Sequence, residues 1–105
     1  MVRFEVIEVD FDPSIDVEIR KRRPALILSP DEMNRTLETV IVAPMTTHGF
    51  AADTRIPCHF RGKSGFIILD QMRSISRRRV RRSLGKIDPA TGAAVLSVLR
   101  EMFEP

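Results

Sequence analysis

Four consecutive cations, Arg20-Lys21-Arg22-Arg23, run directly into Pro24 and the apolar stretch Ala25-Leu26-Ile27-Leu28. A proline restricts the residue before it to extended geometry, so Arg23 sits where a loop becomes a strand. A guanidinium fixed there is always charged and presents a planar fork of donors matched to a phosphate group. Thr46 follows a second apolar run, Thr39 to Pro44, and Thr47 and His48 come next. Its hydroxyl would donate to a phosphoryl oxygen, or hydrogen-bond within its own turn as isolated threonines commonly do. Asp70 and Gln71 end a third apolar run, with Arg73 just beyond. Because side chains alternate along a strand, Gln71 and Arg73 share one face and Asp70 takes the other. Asp70 would then pair with an arginine, or act as a catalytic acid, while Gln71 meets a partner.

Other chemistries find less support. His48, Cys58 and His59 are too few and wrongly spaced for a zinc cage, and adjacent residues of a strand point apart. No G-x-S-x-G motif and no phosphate-binding glycine loop occurs. Neither a metal nor another cofactor is expected.

The elements that must hold these residues follow from the apolar pattern. At 105 residues, with 43% hydrophobic and 30% charged side chains, the chain is expected to form one domain, residues 1–105. Strands are predicted over 4–11, 24–29, 39–44, 54–60 and 64–71. Pro24 is confined to the first position of its strand, and Pro57 marks an edge. Residues 15–22 and 45–50 are expected to be loops, Arg61-Gly62-Lys63 a turn, and 73–85 a short charged strand or turn. Asp88 and Pro89 announce a terminal helix whose Val95, Leu96, Leu99, Met102 and Phe103 recur at helical spacing. The outcome is mainly β (α+β), a curved antiparallel sheet or small barrel closed by a C-terminal helix.

Charge is unevenly laid out. Residues 1–18 carry one Arg and six acids, whereas nine of the 17 basic residues fall in the runs 20–23 and 77–82. That asymmetry favours a polyanionic partner. The second run, RRRVRR, is expected to add salt-dependent affinity without joining the chemistry. The lone Cys58 fits a reducing compartment, and no run is long enough to span a membrane, so the cytoplasm is expected.

In order, VDFDP (9–13), an acidic loop containing Glu18, RRPALILSP (22–30), VAPMTT (42–47), GFIILDQMRSI (65–75) and LGKI (84–87) resemble the MazF/PemK family of toxins, over about residues 6 to 103. The resemblance implies a small SH3-like, CcdB-type β-barrel, usually homodimeric, that cleaves single-stranded RNA at short sequences without a metal. Its cognate antitoxin has an acidic tail that folds on binding, and operator DNA is met only through that complex. The family's usual catalytic pair maps to Arg23 and Thr46, its loop acid to Glu18, and its DQ-x-R to Asp70, Gln71 and Arg73. The chain departs from the family where the common Gly-Asp opening becomes Phe4-Glu5. Val17 stands where some members place a histidine, and Ile68 where some have an arginine.

The chemistry implied is attack of an RNA 2′-hydroxyl on the adjacent phosphate. Arg23 would stabilise charge and assist the leaving group, Thr46 would hold a non-bridging oxygen, and Glu18 is a candidate base, the identity of the base being left open by the sequence. Arg20, Lys21 and Arg22 would attract the RNA backbone, and Thr47, His48, Phe50, Gln71 and Arg73 would bind RNA, His48 or Phe50 by stacking on a base. Two alternatives remain beside this: a gyrase poison on the same barrel, and a plain nucleic-acid-binding module.

Overall fold

The computed structural model describes residues 1–11 and 22–105. These residues form seven strands, β1 (Glu5–Asp10), β2 (Arg22–Ile27), β3 (Thr39–Thr46), β4 (Arg55–Phe60), β5 (Lys63–Ile68), β6 (Arg73–Ser76) and β7 (Val80–Lys86). Two helices join them, α1 (Asp31–Thr36) and the terminal α2 (Pro89–Phe103). Single 3₁₀ turns at Leu69–Gln71 and Arg77–Arg79 link β5 to β6 and β6 to β7.

All pairings are antiparallel, in the order β4-β5-β3-β2-β1-β7, with β6 also on β3. The long strand β3 organises the sheet. Its first half pairs with β6, from Thr39↔Ser76 to Val42↔Arg73, and its last two residues pair with β5 as Met45↔Ile67 and Thr46↔Phe66. The 3₁₀ turn at Leu69–Gln71 is the corner between those partners.

Such a strand must be apolar on both sides, and two cores result. Ile7, Val9, Ala25, Ile27, Val40, Val42 and Ile75 form one, joined by Val80. Because Ile75 of β6 and Val80 of β7 come from opposite ends of the sheet, the sheet must curl round this cluster, making a half-barrel. Val6, Leu26, Leu28, Ala43, Met45, Ile56, Ile67, Leu69, Ile87 and Val95 form the second, between the sheet, the β4–β5 ribbon and α2. Helix α2 begins as its sequence predicts: the Asp88 carboxylate accepts the Thr91 N–H at 3.0 Å, and Pro89 opens the first turn.

Several expectations change. Pro24 is the third residue of β2, opposite Glu8 of β1. The β2–β3 ladder starts only at Ala25↔Pro44, so a residue without an N–H is tolerated where the strand has a neighbour on one side. Asp10 of β1 is buried and pairs with Arg81 at 3.2 Å. Phe103 is 73% exposed and does not join the apolar face of α2. Gly92, a weak helix former, is buried where a Cβ would come within 2.9 Å of the Phe4 ring. No helix among the described residues is long and apolar enough to cross a membrane.

Candidate nucleic-acid cleft

Thr46 is the last residue of β3 rather than a residue two places beyond the strand, because pairing with Phe66 of β5 extends the ladder that far. Arg23 lies two residues beyond the last β2–β3 pair, at the same end of the sheet, and pairs with Val9 of β1. Both line one cleft of about 580 Å³, with Pro24, Met45, Thr47 and His48 from the strand ends. Cys58, Phe60 and Gly65 of the β4–β5 ribbon and Leu84 of β7 contribute an apolar floor, and Arg61 and Lys63 stand at its rim. No carboxylate lines the cleft among the described residues. An anion there meets three cations among the described residues, above a surface of low polarity, which strengthens their attraction.

The local geometry of Thr46 follows from its turn. Its Oγ1 accepts the His48 N–H at 3.0 Å, so the in-turn bond expected of a threonine is made. That bond uses a lone pair of the oxygen and leaves the O–H to donate elsewhere. The strand end is also held from behind. A Cβ on Gly65 would run into the Thr46 carbonyl oxygen, 2.9 Å from its carbon and 3.1 Å from the Thr47 Cα.

Arg61 and Lys63 were expected only as turn residues. Arg61 (φ 51°) and Gly62 (φ 77°) form a two-residue hairpin loop between Phe60 and Lys63, of the doubly left-handed kind that suits strand twist. A basic pair flanking a hairpin glycine is visible in sequence, but only the folding of the ribbon over β3 brings it to Arg23. The Cys58 thiol is pushed up by burial, with Asp88 adding to the effect, which keeps it neutral and a weak nucleophile.

Of the remaining predicted residues, those that the structure describes lie outside this cleft. Arg22 is exposed on β2, next to Arg23. Glu18, Arg20 and Lys21 lie outside the described residues. Asp70 and Gln71 sit in the 3₁₀ turn, so strand alternation does not govern them and the predicted opposition of their faces does not apply. Asp70 accepts from Thr54 Oγ1 at 2.9 Å and from both Nε and an Nη of Arg55 at 3.3 Å. Those bonds, Arg55 first, hold its carboxyl below the usual aspartate range, so at neutral pH it has no proton to give. Arg55 in turn lies 4.5 Å from the centroid of the Phe50 ring. Arg73 lies 5.6 Å from the centroid of the Phe11 ring. No group of three His, Cys, Asp or Glu side chains converges among the described residues.

The run RRRVRR is mostly committed to the fold. Arg77 donates to the Asn34 carbonyl at 2.6 Å, closing the end of α1. Arg79 donates to the Asp10 carbonyl, Arg81 pairs with the Asp10 carboxylate at 3.2 Å, and Arg82 with Glu8 at 3.5 Å. Val80 packs on the barrel core and fixes the strand that aims these arginines. The run expected to add salt-dependent affinity therefore also ties the fold together, through Arg77, Arg79, Arg81 and Arg82.

Residues 2–103 match the family described as PemK-like, MazF-like toxins of type II toxin–antitoxin systems. The chain is 31% identical over 74 residues to the endoribonuclease toxin MazF of Escherichia coli strain K12, covering 70% of this chain and 67% of that protein. Among solved structures, MazF of Deinococcus radiodurans superposes with a TM-score of 0.79 at 25% identity, covering 97% of this chain and 94% of that one. A mycobacterial endoribonuclease in complex with its cognate antitoxin shares the fold, with a TM-score of 0.81 at 20% identity and 96% and 92% coverage.

Proposed function

The chain belongs to the PemK-like, MazF-like toxins of type II toxin–antitoxin systems, and from that premise we propose that it is a metal-independent endoribonuclease acting on single-stranded RNA. One observation carries the proposal. Arg23 and Thr46 come from different strands into one cleft rimmed by Arg61 and Lys63, with no carboxylate in its described lining. A gyrase poison or a simple nucleic-acid binder does not require a guanidinium and a hydroxyl converging on one anion.

In the reaction, the 2′-oxygen of a ribose bonds to the adjacent phosphorus and the bond from phosphorus to the 5′-oxygen breaks. The 2′-proton leaves to a base, and the 5′-oxygen gains a proton. The products are a 2′,3′-cyclic phosphate and a 5′-hydroxyl. Arg23, Arg61 and Lys63 offset the charge that accumulates on the phosphorane oxygens, and Thr46 donates to one of them. A guanidinium is a poor base. Proton removal therefore falls to Glu18, which precedes β2 in sequence, or, as the second choice, to His48, which lines the cleft.

The cognate antitoxin, by its acidic tail, would occupy the same basic cleft, and operator DNA would be bound only through that complex. The working form is a homodimer. The test is incubation of the purified protein with single-stranded RNA in excess chelator, with end-group analysis. Cleavage to cyclic phosphate and 5′-hydroxyl ends, blocked by a 2′-deoxy sugar at the scissile nucleotide, is the expected result. Activity that vanishes with chelator and returns with magnesium or manganese would overturn the mechanism.

A further inference from the structure

Phe50 is 67% exposed, an unusual place for an aromatic ring in a chain with only six. It is not a loose side chain on a loose loop. The Arg55 guanidinium lies 4.5 Å from its centroid, and the Arg55 side chain is only 17% exposed. Arg55 is gripped at its edge by both Asp70 carboxylate oxygens at 3.3 Å, and Asp70 is fixed in turn by Thr54. Thr54 belongs to the frame, since its carbonyl accepts the Leu69 N–H at 2.9 Å and Leu69 is fully buried.

The assembly also has a set position relative to the cleft. Gly49 (φ +122°) has Arg55 Nη1 3.8 Å and Thr46 Cγ2 3.9 Å from where its Cβ would stand. Gly49, the residue before Phe50, therefore lies between the Arg55 guanidinium and the side chain of the cleft's Thr46. A side chain at Gly49 would be strained by its φ.

We propose that Phe50, backed by Arg55 and Asp70, is a preorganised platform on which an unstacked RNA base next to the cleaved phosphate stacks, so that Arg55 and Asp70 are positioning residues for substrate recognition. This rests on the proposal that the cleft binds RNA. One face of the ring is taken by the guanidinium, and the exposed remainder is open to a base. Stacking on an aromatic face tolerates any base but is lost with the base itself. Holding the ring beforehand removes an ordering cost that binding would otherwise carry.

The experiment measures affinity for a single-stranded RNA oligonucleotide selected from a random pool and 2′-O-methylated against cleavage, together with a series lacking one base at a time. Wild-type protein should lose roughly 5- to 100-fold in affinity at one abasic position. Phe50→Ala should show a loss of that size on the intact strand and be indifferent to the same abasic site, whereas Phe50→Trp should retain sensitivity. Arg55→Met and Asp70→Asn, checked for folding by thermal unfolding, should give a smaller loss at that position alone. Unchanged affinity in Phe50→Ala, or sensitivity that is the same at every position, would overturn the platform. So would RNA binding left intact while binding of an acidic antitoxin peptide is lost. Wild-type protein that cuts RNA with no effect at Phe50 overturns only this inference, and protein that neither binds nor cuts RNA overturns the proposed function as well.

Discussion

Arg23 and Thr46 differ in how replaceable they are. Arg23 is exposed, with its strand held by β1 on one side, so Arg23→Ala should leave the thermal transition within a degree or two of wild type. Loss of one preorganised donor to the phosphorane should slow single-turnover cleavage by about 10²–10³. Arg23→Lys should also be badly impaired, because a point charge does not reproduce the fork. Wild-type rates in the alanine variant would remove Arg23 from the mechanism. For Asp70, the folded pKa lies below the unfolded one, so its stabilisation is present above the ordinary aspartate range and lost as pH falls through the depressed value. Asp70→Asn should thus cost up to about 1 kcal/mol at neutral pH, small because the side chain is 35% exposed, and nothing in strong acid. Urea unfolding at both pH values is the measurement.

The cleft depends on how closely two elements approach. Strand β5 crosses the end of β3 with Gly65 seated on the Thr46 carbonyl, which any side chain would displace. Gly65→Ala must either lift β5 or shift the backbone of Thr46 and Thr47. Overpacking of this kind costs about 1–3 kcal/mol, and here the shift falls on the candidate catalytic hydroxyl. We expect Gly65→Ala to lower the cleavage rate more than Thr46→Ser does, with a reduced urea midpoint. Wild-type rate and stability together would show that the ribbon yields without moving β3. The hairpin end of the same ribbon carries Arg61 and Lys63, so a hairpin that looks peripheral in sequence supplies two of the three described cations of the cleft.

Across the whole molecule, the second basic run acts as a set of ties. Arg81→Gln should destabilise by about 1–3 kcal/mol, since Asp10 is buried and charged partners of such groups are costly to remove. Arg78→Gln should stay within about 0.5 kcal/mol, as its exposed side chain anchors nothing among the described residues. Equal stability of the two variants would return the run to a solvated surface. The chain's departure from its family at Phe4 also has a counterpart elsewhere. Phe4 adopts φ 70°, a conformation that favours glycine, and its ring fills the space left by Gly92 on α2. Gly92→Ala alone should destabilise, and Phe4→Gly should relieve part of that cost in a double-mutant cycle read by thermal unfolding. Additive effects would mean the two sites do not couple.

Much of this was written in local pattern. Apolar runs bounded by prolines and glycines mark β2, β3 and β5, the Asp88-Pro89 pair starts α2, and Arg23 before Pro24 is fixed by a restriction acting between neighbours. The ordered segments were enough to identify the family. What only the fold decided are relations between residues distant in sequence. Period-two alternation placed Asp70 opposite Gln71, but a 3₁₀ corner forms there because β3 changes partners from β6 to β5. Charge counting assigned RRRVRR only salt-dependent affinity, because nothing local says that Asp10, Glu8 and the end of α1 lie beside it. Arg55 has no sequence signal of its own, and Arg61 and Lys63 read only as a turn, since charged residues acquire distant partners only when a curled sheet brings them together.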